Sequence, residues 1–121
     1  MLHKARIHTL VCQVADLDAA RDWYAACRLG EEVLYNEAER LSLLRLCTGT
    51  HIALVECPQD APGTTLRRPY AVLAVPDAVS ARAELEQRGV SVGPMKQQGC
   101  IHTFEFFDPD GNLFEVAEVA A

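Results

Sequence analysis

Apolar and polar residues follow two spacings along the chain, one typical of strands and one typical of helices. Arg6–Val14 is apolar and rich in β-branched residues, which predicts a strand. Asp16 is then placed as a helix N-cap. Apolar residues recur at helical spacing until Leu29 and Gly30 stop the pattern, and they are Leu17, Ala20, Trp23, Tyr24 and Cys27. We predict that Trp23 and Tyr24 lie in the core.

The second half of the chain repeats this order of elements. Residues 69–75 predict a strand, Asp77 a helix cap, and the helical pattern ends at Arg88 and Gly89. The repeat is visible in matched residues 61 positions apart: Val11, Val14, Asp16, Ala20 and Arg21 correspond to Val72, Val75, Asp77, Ala81 and Arg82. Three strand-like segments follow each helix, at residues 32–35, 41–46 and 51–56 and at residues 90–92, 101–107 and 113–119.

Each half therefore has the order β-α-β-β-β, and the fold class is α+β. We expect residues 1–121 to form a single domain, with a first module at 5–57 and a second at 69–120. The polar, Gly- and Pro-bearing stretch 58–68 is the predicted linker.

The composition of the chain narrows the classes of function and partner that are compatible with it. The chain has 121 residues, of which 50% are hydrophobic and 23% charged, as expected for one globular domain with a real core. The net charge is −6 and the basic residues are scattered, which argues against nucleic acid and anionic membrane as partners. The five cysteines show no C-x-x-C spacing and lie mostly in apolar runs, so we expect reduced core thiols in a cytoplasmic protein.

The stretch 106–115 carries the strongest local signal. Pro109 presets its backbone angle and Asp108 can accept backbone hydrogen bonds, so this cluster predicts a tight hairpin turn. A five-residue turn pairs Phe107 with Leu113. Glu105 then lies opposite Glu115 on one face of the hairpin.

Together these motifs resemble a known superfamily. They are V-x-D-L-x-x-A-x-x-W-Y…L-G from Val14 to Gly30, E-L-x-x-R-G-V from Glu84 to Val90, and F-F-D-P-D-G-N-L-F-E at 106–115. The chain resembles the vicinal oxygen chelate superfamily, which includes glyoxalase I, extradiol dioxygenases, fosfomycin-resistance transferases and bleomycin-binding resistance proteins. The resemblance implies two βαβββ modules that form a curled sheet around a cleft, and either a homodimer or a tightly paired pseudo-dimer.

The resemblance also implies where a divalent metal binds in metal-dependent members, namely on the first and last strands of both halves. The matching positions here are Thr9, Ala53, Tyr70 and Glu115. Only Glu115 is a good ligand, and a catalytic cation needs at least three protein ligands, so no metal or other cofactor is expected. A divalent metal stays possible if Glu105, Tyr70, His8 or His51 substitutes.

Strand parity makes most of the histidines poor substitutes. His8 is one residue from Thr9 and so faces the opposite side of its strand. His102 shares the parity of Phe104 and Phe106, which we assign to the helix-packed face. His51 has the parity of Ala53 and lies at the rim of the cleft. His3 has no expected role.

We expect a mostly apolar cleft that binds an amphipathic or cationic organic molecule. The predicted ligand-binding residues are Thr9, Val11, Gln13, Leu44, Leu46, His51, Ala53, Val55, Tyr70, Val72, Thr103, Glu105, Phe107 and Glu115.

Three functions are compatible with this site. The first is a metal-free binding protein that sequesters a small molecule, as in the bleomycin-resistance branch. The second is a divalent-metal enzyme of the glyoxalase or dioxygenase type that uses Glu115 with non-standard ligands. The third is acid–base catalysis without metal, in which Glu105 and Glu115 are the catalytic residues.

Overall fold

The structure is a computed structural model that describes residues 1–57 and 68–119, apart from the side chain of Gln98. These residues form a mixed α+β fold, which confirms the predicted class. Its strands and helices are β1 (Arg6–Val14), α1 (Leu17–Cys27), β2 (Glu31–Asn36), β3 (Leu41–Arg45), β4 (His51–Glu56), β5 (Tyr70–Val75), α2 (Ala78–Gln87), β6 (Lys96–Gln98), β7 (Ile101–Phe107) and β8 (Leu113–Glu118). A short 3-10 helix at Leu2–Lys4 precedes them.

The chain groups into two compact units, which we call the first half (Thr9–Pro69) and the second half (Met1–His8 with Tyr70–Ala121). In the first half the strand order is β2-β3-β4-β1, and in the second it is β5-β8-β7-β6. The first and last strands of each half pair in parallel, and the other pairs are antiparallel. Both halves thus follow the predicted β-α-β-β-β order.

One helix packs against one face of each four-stranded sheet. Between α1 and its sheet, the buried cluster consists of Leu17, Leu44, Ile52 and Leu54. Between α2 and its sheet, the buried cluster consists of Val75, Ala78, Ala81, Leu85, Phe104 and Val116. We call the opposite side of each sheet its helix-free face. Because strand side chains alternate, each strand contributes every second residue to it.

Both helices begin at the predicted aspartates. The carboxylate of Asp16 accepts a hydrogen bond from the Ala19 N–H at 3.1 Å, and that of Asp77 accepts one from the Ser80 N–H at 3.1 Å. None of the described helices is long and apolar enough to cross a membrane.

The strand predicted at residues 90–92 is wrong. Val90 and Val92 pack against the core of the second half, and Val92 makes only a single β-bridge, to Phe106. The strand that pairs with β7 is instead Lys96–Gln98, which is polar because it lies at the edge of the sheet. Apolar periodicity cannot detect such an edge strand.

Two burial predictions also need correction. The Trp23 side chain is exposed rather than buried in the core, and its ring is tilted against that of Tyr24, with ring centroids 5.0 Å apart. The thiols of Cys27, Cys47 and Cys100 are exposed, so they are not core residues. Except for Arg68, the predicted linker lies outside the described residues.

The two faces of β7 differ in their expected effect on stability. Phe104 is fully buried under α2, whereas Phe107 on the helix-free face is 59% exposed. We expect Phe104→Ala to lower the free energy of unfolding by about 3–5 kcal/mol because it leaves a cavity. Phe107→Ala is the matched control and should cost less than about 1 kcal/mol. Urea unfolding measures both, and equal losses would contradict the assignment of faces.

Candidate functional site

The turn between β7 and β8 is organised by the carboxylate of Asp108. It accepts hydrogen bonds from the backbone N–H groups of Asp110 and Asn112, both at 2.9 Å, and from the Asn112 side-chain amide at 2.7 Å. These bonds, chiefly that from the Asn112 side chain, lower the pKa of Asp108. The hairpin closes in the predicted register, with Phe107 opposite Leu113.

That register brings two carboxylates together on the helix-free face of the second half. Glu105 on β7 lies opposite Glu115 on β8, as predicted, and Val72 on β5 flanks Glu115 on its other side. The Gly93 N–H donates to the Glu105 carbonyl oxygen at 2.7 Å. Arg82 of α2 donates from Nε to the Gly93 carbonyl oxygen at 2.9 Å. The backbone beside Glu105 is therefore anchored to both β8 and α2.

The two carboxylates have unequal surroundings. The side chain of Glu105 is 39% exposed, and its Oε1 lies 3.9 Å from the ammonium nitrogen of Lys96. Glu115 is partly buried, and this burial is the main cause that raises its pKa. The nearby charge of Glu105 raises the pKa of Glu115 further, while Lys96 opposes the shift. Glu115 therefore holds its proton more tightly than a glutamate in its ordinary surroundings.

The residues around this pair fall into rows across the strands. The row on one side of the carboxylates is apolar and contains Leu113 and Phe107, and the row on the other side contains Ala74, Ala117, Thr103 and Lys96. Tyr70 shares the face because it lies two residues before Val72 on β5. Tyr70, Val72, Thr103, Glu105, Phe107 and Glu115 therefore all lie on the helix-free face of the second half, as predicted.

Sequence reasoning missed Lys96. The available signal was the two-residue turn Gly99-Cys100, which joins Gln98 to Ile101. Gly99 has a φ of 64°, a conformation that glycine adopts at low cost and that two-residue hairpin turns require. A hairpin placed on this turn puts Lys96 opposite Thr103.

In the first half, six of the predicted ligand-binding residues lie on the helix-free face. Thr9, Val11 and Gln13 of β1 pair with His51, Ala53 and Val55 of β4. Thr9, Val11 and Ala53 are buried, so this face is less accessible at its centre than at Gln13 and Val55.

Leu44 and Leu46 were predicted on this face, and the structure contradicts that placement. The Leu46 N–H donates to the Thr50 carbonyl oxygen at 2.8 Å, and this turn pairs Leu44 with Ile52. Both leucines consequently pack on the α1 side, with Leu17. Counting pairs outward from the turn, as for Glu105 and Glu115, would have given the correct face.

His102 lies on the helix-packed face, as its parity predicts. Its Nδ1 is 3.7 Å from Glu118 Oε2, and Glu118 Oε1 accepts a hydrogen bond from the Ala78 N–H at 3.0 Å. His102 therefore lies near the start of α2, on the face of β7 opposite to the carboxylate pair.

The residues present do not fit a metal ion. The four positions implied by the resemblance offer one carboxylate, two hydroxyl groups and a methyl group, from Glu115, Thr9, Tyr70 and Ala53. Within residues 1–57 and 68–119, no three His, Cys, Asp or Glu side chains are grouped so that they could hold a metal. The chelate chemistry of metal-dependent members therefore finds no ligand set in the described residues.

A groove of about 400 Å³ in the first half was not predicted, and its lining includes Arg21, Tyr24, Arg28 and Glu32. Arg21 makes two hydrogen bonds to Glu32, at 2.8 and 2.9 Å, and lies 3.6 Å from the centre of the Tyr35 ring. These bonds lower the pKa of Glu32 to about 2. Since Arg21 and Glu32 already neutralise each other within the protein, we place the candidate site at Glu105 and Glu115 instead.

The model of the Glyoxalase/Bleomycin resistance protein/Dioxygenase superfamily matches residues 6–116. The chain belongs to this superfamily. No protein of curated function matches it in sequence.

Solved structures share the fold of this superfamily member. A glyoxalase/bleomycin resistance protein/dioxygenase superfamily member from Vibrio splendidus 12B01 has a TM-score of 0.74 and 14% identity, covering 95% of this chain and 99% of that chain. Methylmalonyl-CoA epimerase from Mycobacterium tuberculosis has a TM-score of 0.71 and 21% identity, covering 95% and 88%. A variant of the Streptomyces coelicolor epimerase in complex with 2-nitronate-propionyl-CoA has 0.67 and 22%, covering 96% and 98%. At these identities the likeness concerns the fold alone.

The raised pKa of Glu115 predicts a pH-dependent cost to stability. Its ordinary pKa applies in the unfolded chain, so the unfolded state loses the proton first as pH rises, and stability falls through the window above that value. We expect Glu115→Gln to raise Tm at about pH 7.5 but not at about pH 4, measured by thermal unfolding. Glu39→Gln, an exposed carboxylate in the first half, controls for the change in net charge. An equal rise at both pH values would contradict the prediction.

Proposed function

We propose that the protein binds a small organic molecule with a cationic amine on the helix-free face of its second half, where Glu105 and Glu115 hold the amine. The observation that supports this most directly is the cross-strand pairing of these two carboxylates. Like charges directly opposite each other on a sheet are destabilising. A cation between them removes that repulsion and favours the ionised form of Glu115, whose pKa is raised by burial and by the charge of Glu105.

The neighbouring rows support an amphipathic ligand. Phe107 and Leu113 offer apolar surface on one side of the carboxylates, and Phe107 is 59% exposed. A site with apolar walls and a few fixed polar groups is the usual composition of a small-molecule site. The ligand that fits carries an amine close to an apolar or aromatic group.

We extend the proposal to mode of action and assembly. The function is sequestration without a metal, as in the bleomycin-resistance branch of the superfamily, and the working unit is a homodimer. The poor metal-ligand set at Thr9, Ala53 and Tyr70 supports the first of these statements. Superfamily membership motivates the second.

The proposal predicts selective binding of amines. Phenethylamine and other small amines should bind to the wild-type protein, and 2-phenylethanol, which lacks the charge, should bind at least about tenfold more weakly. Amide NMR signals of residues 103–107 and 113–118 should shift on titration. Glu115→Gln and Glu105→Gln should each weaken amine binding about tenfold or more, because a hydrogen bond to a charged group is lost.

Glu39→Gln is the control and should bind like the wild type. A titration in which the amines and 2-phenylethanol bind equally would contradict the proposal. Thermal unfolding with Mn²⁺, Ni²⁺, Zn²⁺ and Fe²⁺ tests the metal-enzyme alternative, since a cation bound only by the native state raises Tm. A rise in Tm that is complete at a stoichiometric amount of metal, and that Glu115→Gln abolishes, would establish a metal site and overturn metal-free binding.

The raised pKa of Glu115 favours a second candidate, proton transfer. A carboxyl group whose pKa is raised by partial burial and by a neighbouring carboxylate is a common arrangement for acid–base catalysis. As base, the Glu115 carboxylate takes the proton from a carbon next to a carbonyl group, and the C–H electron pair forms an enolate. The Glu115 carboxyl group, after exchanging its proton with solvent, returns a proton to the carbon.

Deuterium exchange tests this second candidate. Methylmalonyl-CoA, named in the epimerases of similar fold, serves as the probe in D₂O. If Glu115 transfers protons, the wild-type protein incorporates deuterium at the carbon between its carbonyl groups faster than a protein-free control. Glu115→Gln should abolish the exchange while ligand-induced NMR shifts persist. Exchange no faster than the protein-free control would dismiss proton transfer with this probe.

A further inference from the structure

We propose that Lys96 makes the site selective for zwitterions, so that a molecule with a carboxylate beside its amine binds more tightly than the amine alone. This inference rests on the proposed binding of amines at Glu105 and Glu115. It adds the chemical class of the ligand, an amino-acid-like molecule with an apolar side chain. The feature that carries it is one cation placed beside two carboxylates on a single face.

The position of Lys96 is fixed by the sheet. Lys96 pairs with Thr103 on β7, and Glu105 lies two residues further along the same strand. Since residues two apart share a face, Lys96, Thr103 and Glu105 all lie on the helix-free face. The Lys96 ammonium is therefore on the outer, edge-strand side of the carboxylate pair.

The contact between Lys96 and Glu105 is loose. Their charged atoms are 3.9 Å apart, which is beyond hydrogen-bond distance. The Lys96 side chain is 52% exposed, and an ammonium group has three donors to offer. An exposed ion pair of this kind contributes little to stability, so a ligand can displace it at low cost.

A ligand amine and Lys96 compete for the same carboxylate. When an amine binds between Glu105 and Glu115, the Lys96 ammonium loses its contact with Glu105 and returns to solvent. A ligand carboxylate beside the amine gives Lys96 a new partner at that moment. The apolar part of the ligand then lies toward Phe107 and Leu113. Three separate features of the face thus complement an ammonium, a carboxylate and an apolar group.

A matched ligand series tests the selectivity. The probes are phenylalanine, phenethylamine, which lacks the carboxylate, and 3-phenylpropanoate, which lacks the amine. Titrations followed by NMR should give phenylalanine about two- to fivefold tighter binding than phenethylamine, the range for an exposed ion pair. 3-Phenylpropanoate should bind most weakly, because it brings a third negative charge to the site.

Lys96→Met removes the charge while retaining much of the apolar stem. It should abolish the advantage of phenylalanine, and phenethylamine should bind more tightly because Lys96 no longer competes for Glu105. Lys4→Met is the matched control. Lys4 is exposed in the 3-10 helix, and its substitution changes the net charge by the same amount. The two ligands and two proteins form a double-mutant cycle that isolates the pair of Lys96 with the ligand carboxylate.

The outcomes separate this inference from the function on which it rests. If phenethylamine binds at residues 103–118 but phenylalanine binds no tighter, the inference fails and the amine site stands. The same holds if the advantage of phenylalanine survives Lys96→Met. If none of the probes shifts signals on this face, the proposed amine site itself fails.

Discussion

In each half, a glutamate at the end of the last strand binds the first backbone N–H of the helix. The Leu17 N–H donates to Glu56 Oε2 at 2.9 Å, and the Ala78 N–H donates to Glu118 Oε1 at 3.0 Å. A helix N-terminus has unpaired N–H groups and partial positive charge, so a carboxylate satisfies both. The last strand also pairs in parallel with the strand that leads into the helix. The contact therefore holds the end of β8, the strand that carries Glu115, against the start of α2.

The two halves share this backbone arrangement but not its chemistry. Val11 pairs with Ala53 in the first half, and the matching Val72 pairs with Glu115 in the second. The same position of the repeat therefore carries a methyl group in one half and a carboxylate in the other. Either residue is tolerated, because its side chain lies on the helix-free face. Strand pairing uses the backbone, and helix packing uses the neighbouring residues of the strand, which face the helix. The acidic chemistry of the second half is not a requirement of its fold.

Glu115 is unfavourable in the place where the fold holds it. Partial burial and the charge of Glu105 both oppose its ionisation. A glutamine there would keep the strand and remove the repulsion. Local conflicts of this kind are concentrated at functional sites, where the group serves a ligand or a reaction rather than stability. Glu115 and the nearby cation, Lys96, lie on the same face.

The sequence by itself determined the order of elements, the Asp108 turn and the pairing of Glu105 with Glu115, because strand alternation and turn length are local properties. Counted outward from the turn that the Leu46–Thr50 hydrogen bond closes, the same rule places Leu44 on the α1 side, where the structure has it and where the prediction did not. Only the tertiary structure decided that Glu115 is partly buried and that the Lys96 ammonium lies 3.9 Å from the Glu105 carboxylate. Burial depends on residues distant in sequence, and a polar edge strand has no apolar pattern to reveal it.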